Sequence, residues 1–295
     1  MQTILVTGVG APGTWGTIQS LKGFRIIGCD MNPNAACKGM VDEFYQVPAG
    51  DDNDYPMAIE SLVRDAGVDV ILPQCTNELE ALSIFTTWAD TDVEIVISSY
   101  NTIRTANDKY SLYEAVEDQI PVPLFLAANT DWFIKPRIGS GSRGAKRIPI
   151  PDKDMLLMEY LEGDEFTVDC FSDGSNSIAV PRKRTKIVNG ISFEGEILVQ
   201  RQPHDLASFL VTSSYTMMKM LDLTGCFGFQ FKMDAEGSPK LLECNPRVQG
   251  GMYASTLAGR NVIRMAVLSA LGREQEPLEE LKPIKFSRYW GMNVT

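Results

Sequence analysis

Histidine is almost absent from this chain, with one residue in 295, and the six cysteines (Cys29, Cys37, Cys75, Cys170, Cys226, Cys244) form no CxxC pair. Together these scarcities argue against a Cys/His zinc site and leave reduced cytoplasmic thiols as the expected state. Basic charge is also in deficit: 27 Lys and Arg stand against 38 Asp and Glu, a net charge of −11. Nucleic acids and anionic membranes select Lys/Arg-rich faces, so neither is an expected partner, although a local basic cluster can still hold a small anion. No segment approaches eighteen uninterrupted apolar residues, and Met1 leads into a short apolar run rather than a basic flank and a long greasy stretch. A soluble cytoplasmic protein is expected.

What is there first is an alternation. "TILVTG" (3–8), a helix-compatible stretch (14–22) and "FRIIGCD" (24–30) make a β-α-β unit in about thirty residues. Helical spacing at 54–67, a strand at 68–74, a helix at 77–90 and a strand at 93–99 continue it. Such alternation predicts a parallel, doubly wound α/β sheet over residues 1–100. Past a boundary near Ser98–Asn101 the character changes. One helix is expected over 101–119, then strands at "DWFIKP", "DMLLMEYL", "EFTVDCFSD" and "NSIAVPRKRTKIV", a helix over 204–222, a strand pair at 226–245 and a last helix over 261–271. The second half, 101–295, reads as α+β with antiparallel hairpins.

Gly8, Gly10 and Gly13 form GxGxxG directly after the first strand, and Asp30 ends the second strand. That spacing suits a dinucleotide: the glycines admit a phosphate to a helix N-terminus and the acid holds a ribose. The same residues also suit a tight strand-to-helix turn that binds nothing.

The densest chemistry lies at 225–247, "GCFGFQFKMDAEGSPKLLECNPR". Two strands joined by "DAEGS" can pair so that Gln230, Glu243 and Asn245 share one face, with Arg247 beside them. Hard oxygen ligands of this kind suit Mg²⁺ sharing the phosphates of a nucleotide, and a guanidinium forks onto phosphate or carboxylate. The plainer alternative is a buried polar network, although four such groups at alternate positions are hard to satisfy internally. Arg182 and Arg184 share a face of an earlier strand and suggest an anion site; an ordinary charged edge strand would look the same.

The segment resembles the signature of the ATP-grasp superfamily, most closely its carbamoyl-phosphate-synthetase-like branch. Gln230 and Phe231, then Glu243, Asn245, Pro246 and Arg247, match its Gln-Phe and Glu-x-Asn-Pro-Arg strands. "NDKYSLYEAVEDQIPVP" (107–123) is similar to the helix carrying an ATP-contacting basic residue, here Lys109. "FIKPRIGSGSRGAKRI" (133–148) resembles the strand and Gly/Ser loop over the phosphates, with Lys135 as the strand lysine. "MEYLEGDEFTVD" (158–169) resembles the hinge, where Glu159 and the backbone at Tyr160 and Leu161 meet adenine and Glu165 meets the ribose.

The resemblance implies a Rossmann-like leading domain that usually binds no dinucleotide, then an ATP-grasp domain whose nucleotide-covering part spans about 105–160. It implies ATP and Mg²⁺ or Mn²⁺, held through Gln230, Glu243 and Asn245, with Lys135, Arg182, Arg184 and Arg247 around the transferred charge. The expected reaction is ATP-dependent carboxylate–amine ligation through an acylphosphate, by a stand-alone enzyme acting on small molecules; a homodimer is compatible with it. The doubled architecture of carbamoyl-phosphate synthetase is missing, which argues against carbamoyl phosphate as the product. Activity on bicarbonate, a dinucleotide-binding oxidoreductase and a non-catalytic ATP-binding protein are the alternatives.

Overall fold

The computed structural model describes residues 1–88, 92–127, 132–134, 146–148, 155–188 and 190–288. The chain opens with β1 (Thr3–Val6), α1 (Thr14–Ser20), β2 (Arg25–Asp30), β3 (Glu43–Gln46), α2 (Tyr55–Ala66), β4 (Val70–Leu72), α3 (Leu79–Trp88) and β5 (Glu94–Ile95). The strands form one parallel sheet in the order β3-β2-β1-β4-β5. Alternation along β1 sends Ile4 and Val6 into one hydrophobic cluster and Leu5 into another, where it meets Tyr55, Ile59 and Leu62 of α2. The sheet is therefore sealed on both faces, as parallel sheets are.

The second half runs α4 (Tyr100–Asn107), α5 (Lys109–Val116), β6 (Phe125–Ala127), β7 (Trp132–Ile134), β8 (Lys146–Ile148), β9 (Leu156–Met158), β10 (Glu165–Ser172), β11 (Ser177–Val188) and β12 (Ile191–Ile197). It continues through α6 (Leu206–Met220), β13 (Gly225–Met233), β14 (Pro239–Asn245), α7 (Tyr253–Leu257), α8 (Val262–Ala270) and β15 (Lys285–Ser287). A six-stranded antiparallel sheet has the order β14-β13-β10-β11-β12-β15, and β6-β9 and β7-β8 form two small pairs. One face of the large sheet is apolar: Phe166, Val168, Phe227, Phe229, Phe231 and Leu241 cluster with Leu112, Tyr113, Leu210 and Met217 of α5 and α6. Helix α8 turns back to cover the parallel sheet, its Val262, Ile263 and Val267 sharing a cluster with Ile4 and Val6.

The expected parallel α/β half and α+β half are both present, with local differences. The single helix read over 101–119 is two helices. Asp108 takes φ −90, ψ 113 and its carboxylate accepts the amide of Ser111 at 2.7 Å, capping α5 where a continuous helix would pass. Strand β3 escapes a reading by hydrophobic periodicity because it is an edge strand whose Glu43 and Gln46 are exposed. Strand β12 escapes it because Gly195 and two glutamates interrupt the apolar run. Among the described residues no helix is long and apolar enough to cross a membrane.

Candidate active site

The second face of the large sheet is apolar at one end, where Phe171, Val180, Ile197 and Cys226 share the cluster of α8, and polar over the rest, where the register sets side chains in rows. Arg184 and Lys232 pair with Glu165; Arg182 and Gln230 pair with Thr167; Gly228 pairs with Asp169. On β14, Glu243 lies opposite Gln230 and Asn245 opposite Gly228. A β-bulge makes this possible. The register passes from Gln230↔Glu243 directly to Phe231↔Leu241, leaving Leu242 unmatched. Leu241 and Cys244 can then both enter the core while Glu243 and Asn245 face outward. The Tyr113 hydroxyl donates to the Leu242 carbonyl at 2.7 Å and holds the bulge from below.

Hydrogen bonds link these side chains into one chain. Arg184 donates to Glu165 at 2.9 Å and to Gln230 Oε1 at 2.8 Å. The Gln230 and Asn245 amides both donate to Glu243 Oε1, at 2.8 and 3.0 Å. Arg247 reaches Asn245 Oδ1 at 3.2 Å and Thr76 Oγ1 at 2.8 Å. Lys109 sits 3.3 Å from the other Glu243 oxygen. The expectation that such groups would be hard to satisfy internally is corrected here: they satisfy one another. Burial lowers both Arg184 and Arg247 from the ordinary guanidinium value, the direction expected where a further anion would be welcome.

The parallel half contributes loop tips. Glu78 is fully buried, and its carboxylate accepts from Thr7 Oγ1 and Tyr55 OH (both 2.5 Å) and from the amides of Gln74 and Cys75 (3.0 and 2.8 Å). Burial raises its pKa against those bonds. This carboxylate fixes the 74–76 turn, which offers Thr76 to Arg247. The glycine loop serves the same junction: a Cβ on Gly13, where φ is +107, would lie 2.3 Å from the Gly250 carbonyl. Asp30 is spent on its own loop, accepting from the amides of Gly10 at 2.7 Å and Asn32 at 2.8 Å. The acid that a dinucleotide ribose would need is thus engaged by backbone.

A cleft of about 420 Å³ lies between the sheet face and these tips, walled by Arg182, Arg184, Gln230, Asn245 and Arg247 with Gln74–Thr76 opposite. Lys135 and the 137–144 loop fall outside the described residues. Glu159 is braced by Lys240 and by the Leu124 amide at 2.8 Å, and both hold its pKa down. Tyr160 is exposed beneath Lys232, and Leu161 is buried. Arg182 is not a free cation: its Nε donates to buried Asp169 at 3.0 Å. As a metal set the residues are one carboxylate and two amides. Glu243 fits a hard cation whose other ligands are phosphate and water, whereas Gln230 and Asn245 alike turn their NH₂ to Glu243 and their oxygens to Arg184 and Arg247, so that either amide joins the expected metal set only after turning its oxygen. Among the described residues no cluster of three or more His, Cys, Asp or Glu offers another metal site. Sequence reasoning missed Thr76, Glu78, Gln249 and Arg288, which lie outside any recognised motif, and Asp169, which ends the hinge stretch but drew no role there.

Residues 151–289 match the family model described as ATP-grasp in the biosynthetic pathway with Ter operon. Residues 4–96 match the PylC-like N-terminal domain. A 3-methyl-D-ornithine–L-lysine ligase from Methanosarcina acetivorans is 26% identical over 301 residues, covering 98% of this chain and 78% of that one. The carbamoyl phosphate synthase large chain of Caldanaerobacter subterraneus subsp. tengcongensis is 29% identical over 137 residues, covering 43% of this chain and 12% of its own. The fold is that of N5-carboxyaminoimidazole synthetase from Staphylococcus aureus, solved with ADP: TM-score 0.69, 18% identity, 96% of this chain and 80% of that one. Residues 151–289 are thus similar to an ATP-grasp domain and residues 4–96 to a PylC-like N-terminal domain, on a fold shared with ATP-grasp enzymes.

Proposed function

We infer that the protein is an ATP-dependent carboxylate–amine ligase. A substrate carboxylate attacks the γ-phosphorus of ATP to give an acylphosphate and ADP; an amine then attacks the acyl carbon and phosphate leaves. The observation that carries this reading is the Gln230–Glu243–Asn245–Arg247 row, whose Gln230, Asn245 and Arg247 line a cleft with the 74–76 turn on the far side. Glu243, joined by Asn245 or Gln230 once the amide oxygen turns from its arginine, would hold Mg²⁺, which when bound would neutralise and align phosphate oxygens.

The chain's own side chains do the rest. Arg247, fixed by Thr76 and Asn245, aims a guanidinium at the transferred phosphoryl group. Lys109 lies within reach of Glu243 and would exchange that contact for a phosphate. Glu159, Tyr160 and Leu161 form the stretch assigned to adenine, and Glu165 the carboxylate assigned to the ribose, once released from Arg184 or Lys232. Lys135 and the Gly/Ser loop are assigned to covering the phosphates and excluding water from the acylphosphate. In this reading residues 1–100 supply loop tips and residues 101–295 hold the nucleotide. The relatives' names describe joining two amino acids; here the same reaction class is proposed, with small-molecule substrates in a cytoplasmic setting.

A cleft of about 420 Å³ is roomy for bicarbonate and suits an organic acid. The test is hydroxylamine trapping. With MgATP and a library of carboxylic acids, at least one acid should yield a hydroxamate with one ADP per product. AMP and pyrophosphate would overturn the acylphosphate route. ATP cleavage dependent on bicarbonate alone would restore the carbamoyl-phosphate alternative.

A further inference from the structure

The end of the cleft away from Glu243 contains unmatched donors. Arg182 is 3% exposed and its Nη1 has no hydrogen-bond partner; Gln249 is 7% exposed and its Nε2 has none; Asp169 Oδ1, wholly buried behind Arg182 and outside the cleft lining, is also unpartnered. Arg182 and Gln249 line the cleft, and Arg288 stands with them. A buried donor left unpaired costs about 1–3 kcal/mol, so two on one wall need an explanation.

These donors are held in place rather than loose. Asp169 Oδ2 accepts from Arg182 Nε at 3.0 Å and from Ser255 Oγ at 2.6 Å, so the guanidinium cannot swing away. Arg182 Nη2 lies 3.5 Å from Gln249 Oε1, which turns the amide NH₂ outward from that contact. Two glycines clear the space. A Cβ on Gly251 would stand 2.7 Å from Arg182 Nη2, and one on Gly228 would stand 2.5 Å from Gln249 Nε2.

Charge points the same way. No Asp or Glu is among the described residues lining the cleft, whereas Arg182, Arg184, Arg247 and Arg288 are. The Arg247 end is committed, on the ligase reading, to phosphate and to the carboxylate that reacts. We propose that Arg182, Gln249 and Arg288 form a second anion subsite, which holds a non-reacting carboxylate of one of the two substrates. The subsite rests on the ligase reading only for the role of its occupant. A cationic side chain placed there would meet guanidiniums with no carboxylate in the lining to receive it, so diamino acids are disfavoured and dicarboxylates or acidic amino acids favoured.

The experiment titrates glutarate into the full-length protein saturated with MgADP, with butyrate and ornithine as controls, by calorimetry. Glutarate should bind at least about tenfold tighter than either control, and Gln249→Leu or Arg288→Met should each weaken it by about tenfold while MgADP still binds. If MgADP itself fails to bind, the ligase reading falls. If MgADP binds but glutarate binds no better than butyrate or ornithine, or both variants bind it normally, the subsite is overturned. Turnover of MgATP with glutarate and hydroxylamine would place the anchored carboxylate on the acid substrate; tight binding without hydroxamate would place it on the amine substrate.

Discussion

The five-stranded sheet buries both faces, and the six-stranded sheet buries one face and one end of the other, where Phe171, Val180, Ile197 and Cys226 share the cluster of α8. The first can therefore offer solvent only what protrudes beyond its strand ends: the Gly8–Gly13 loop and the 74–76 turn. The second offers the uncovered part of a face, on which Glu165, Arg184, Gln230, Glu243 and Asn245 stand at fixed cross-strand spacing. Groups on a sheet face inherit their positions from the hydrogen-bond ladder. Groups on a loop tip must be positioned by something else, and here that is a buried carboxylate, Glu78. The two regions should accordingly respond differently to mutation, the face through rate and the tips through stability.

The largest effect expected is on the face. Glu243→Ala removes the one carboxylate of the row and should lower ATP-dependent hydroxamate formation by roughly 10³-fold. Its melting temperature should stay close to the parent's, because the side chain is only partly buried and Cys244 and Leu241 keep the core. Near-normal turnover in a folded variant would dissolve the contrast between the regions. Glu78→Ala should do the reverse. It leaves two hydroxyls and two amides without their acceptor, a loss of about 3 kcal/mol in chemical denaturation, and any fall in rate should follow from a displaced Thr76. Lys135→Ala should slow phosphoryl transfer by about 10²-fold, the usual scale for losing one charge-stabilising donor. Unchanged rate and nucleotide affinity would leave Lys135 no part in the chemistry.

Smaller effects sharpen the contrast further. Tyr113→Phe deletes the bond to the Leu242 carbonyl and should cost about 1 kcal/mol of stability, with the rate falling only as far as the bulge loosens. The smallest is a pH effect on Glu78. Burial raises its folded-state pKa, so its contribution is complete below the unfolded value of about 4.3 and is lost as pH rises through the folded value. Glu78→Gln does not titrate. The parent should therefore lose melting temperature relative to Glu78→Gln as the buffer is raised from about pH 5 to 8. A gap that stays constant would mean the carboxylate titrates alike in both states.

The face was legible in advance because alternation exposes it: Glu243, Asn245 and Arg247 interrupt a strand where apolar residues belong. The tips were not. Glu78 opens a helical pattern and reads as an exposed first-turn acid, since nothing local records that Thr7 and Tyr55 will converge on it. Arg182 was noticed as a charge, but its pairing with Asp169 follows from a register between β10 and β11 that the sequence alone does not supply. Gln249 and Arg288 meet only because α7, α8 and β15 carry the chain back across the junction. The glycine loop shows the opposite hazard: its spacing suits a dinucleotide, while Gly13 is required by the backbone of Gly250.

The unmatched Leu242 has a consequence for anyone redesigning this protein. Sliding the strand so that Leu242 gains a ladder partner of its own would regularise the β13–β14 hairpin. The slip would also reverse the parity of every position beyond it, driving Glu243 and Asn245 toward the phenylalanines and bringing Cys244 into the cleft. Removing Leu242 altogether would instead leave Gln230↔Glu243 and Gly228↔Asn245 paired as they are, so the row of side chains on which the assigned chemistry depends tolerates loss of the extra residue but not its accommodation.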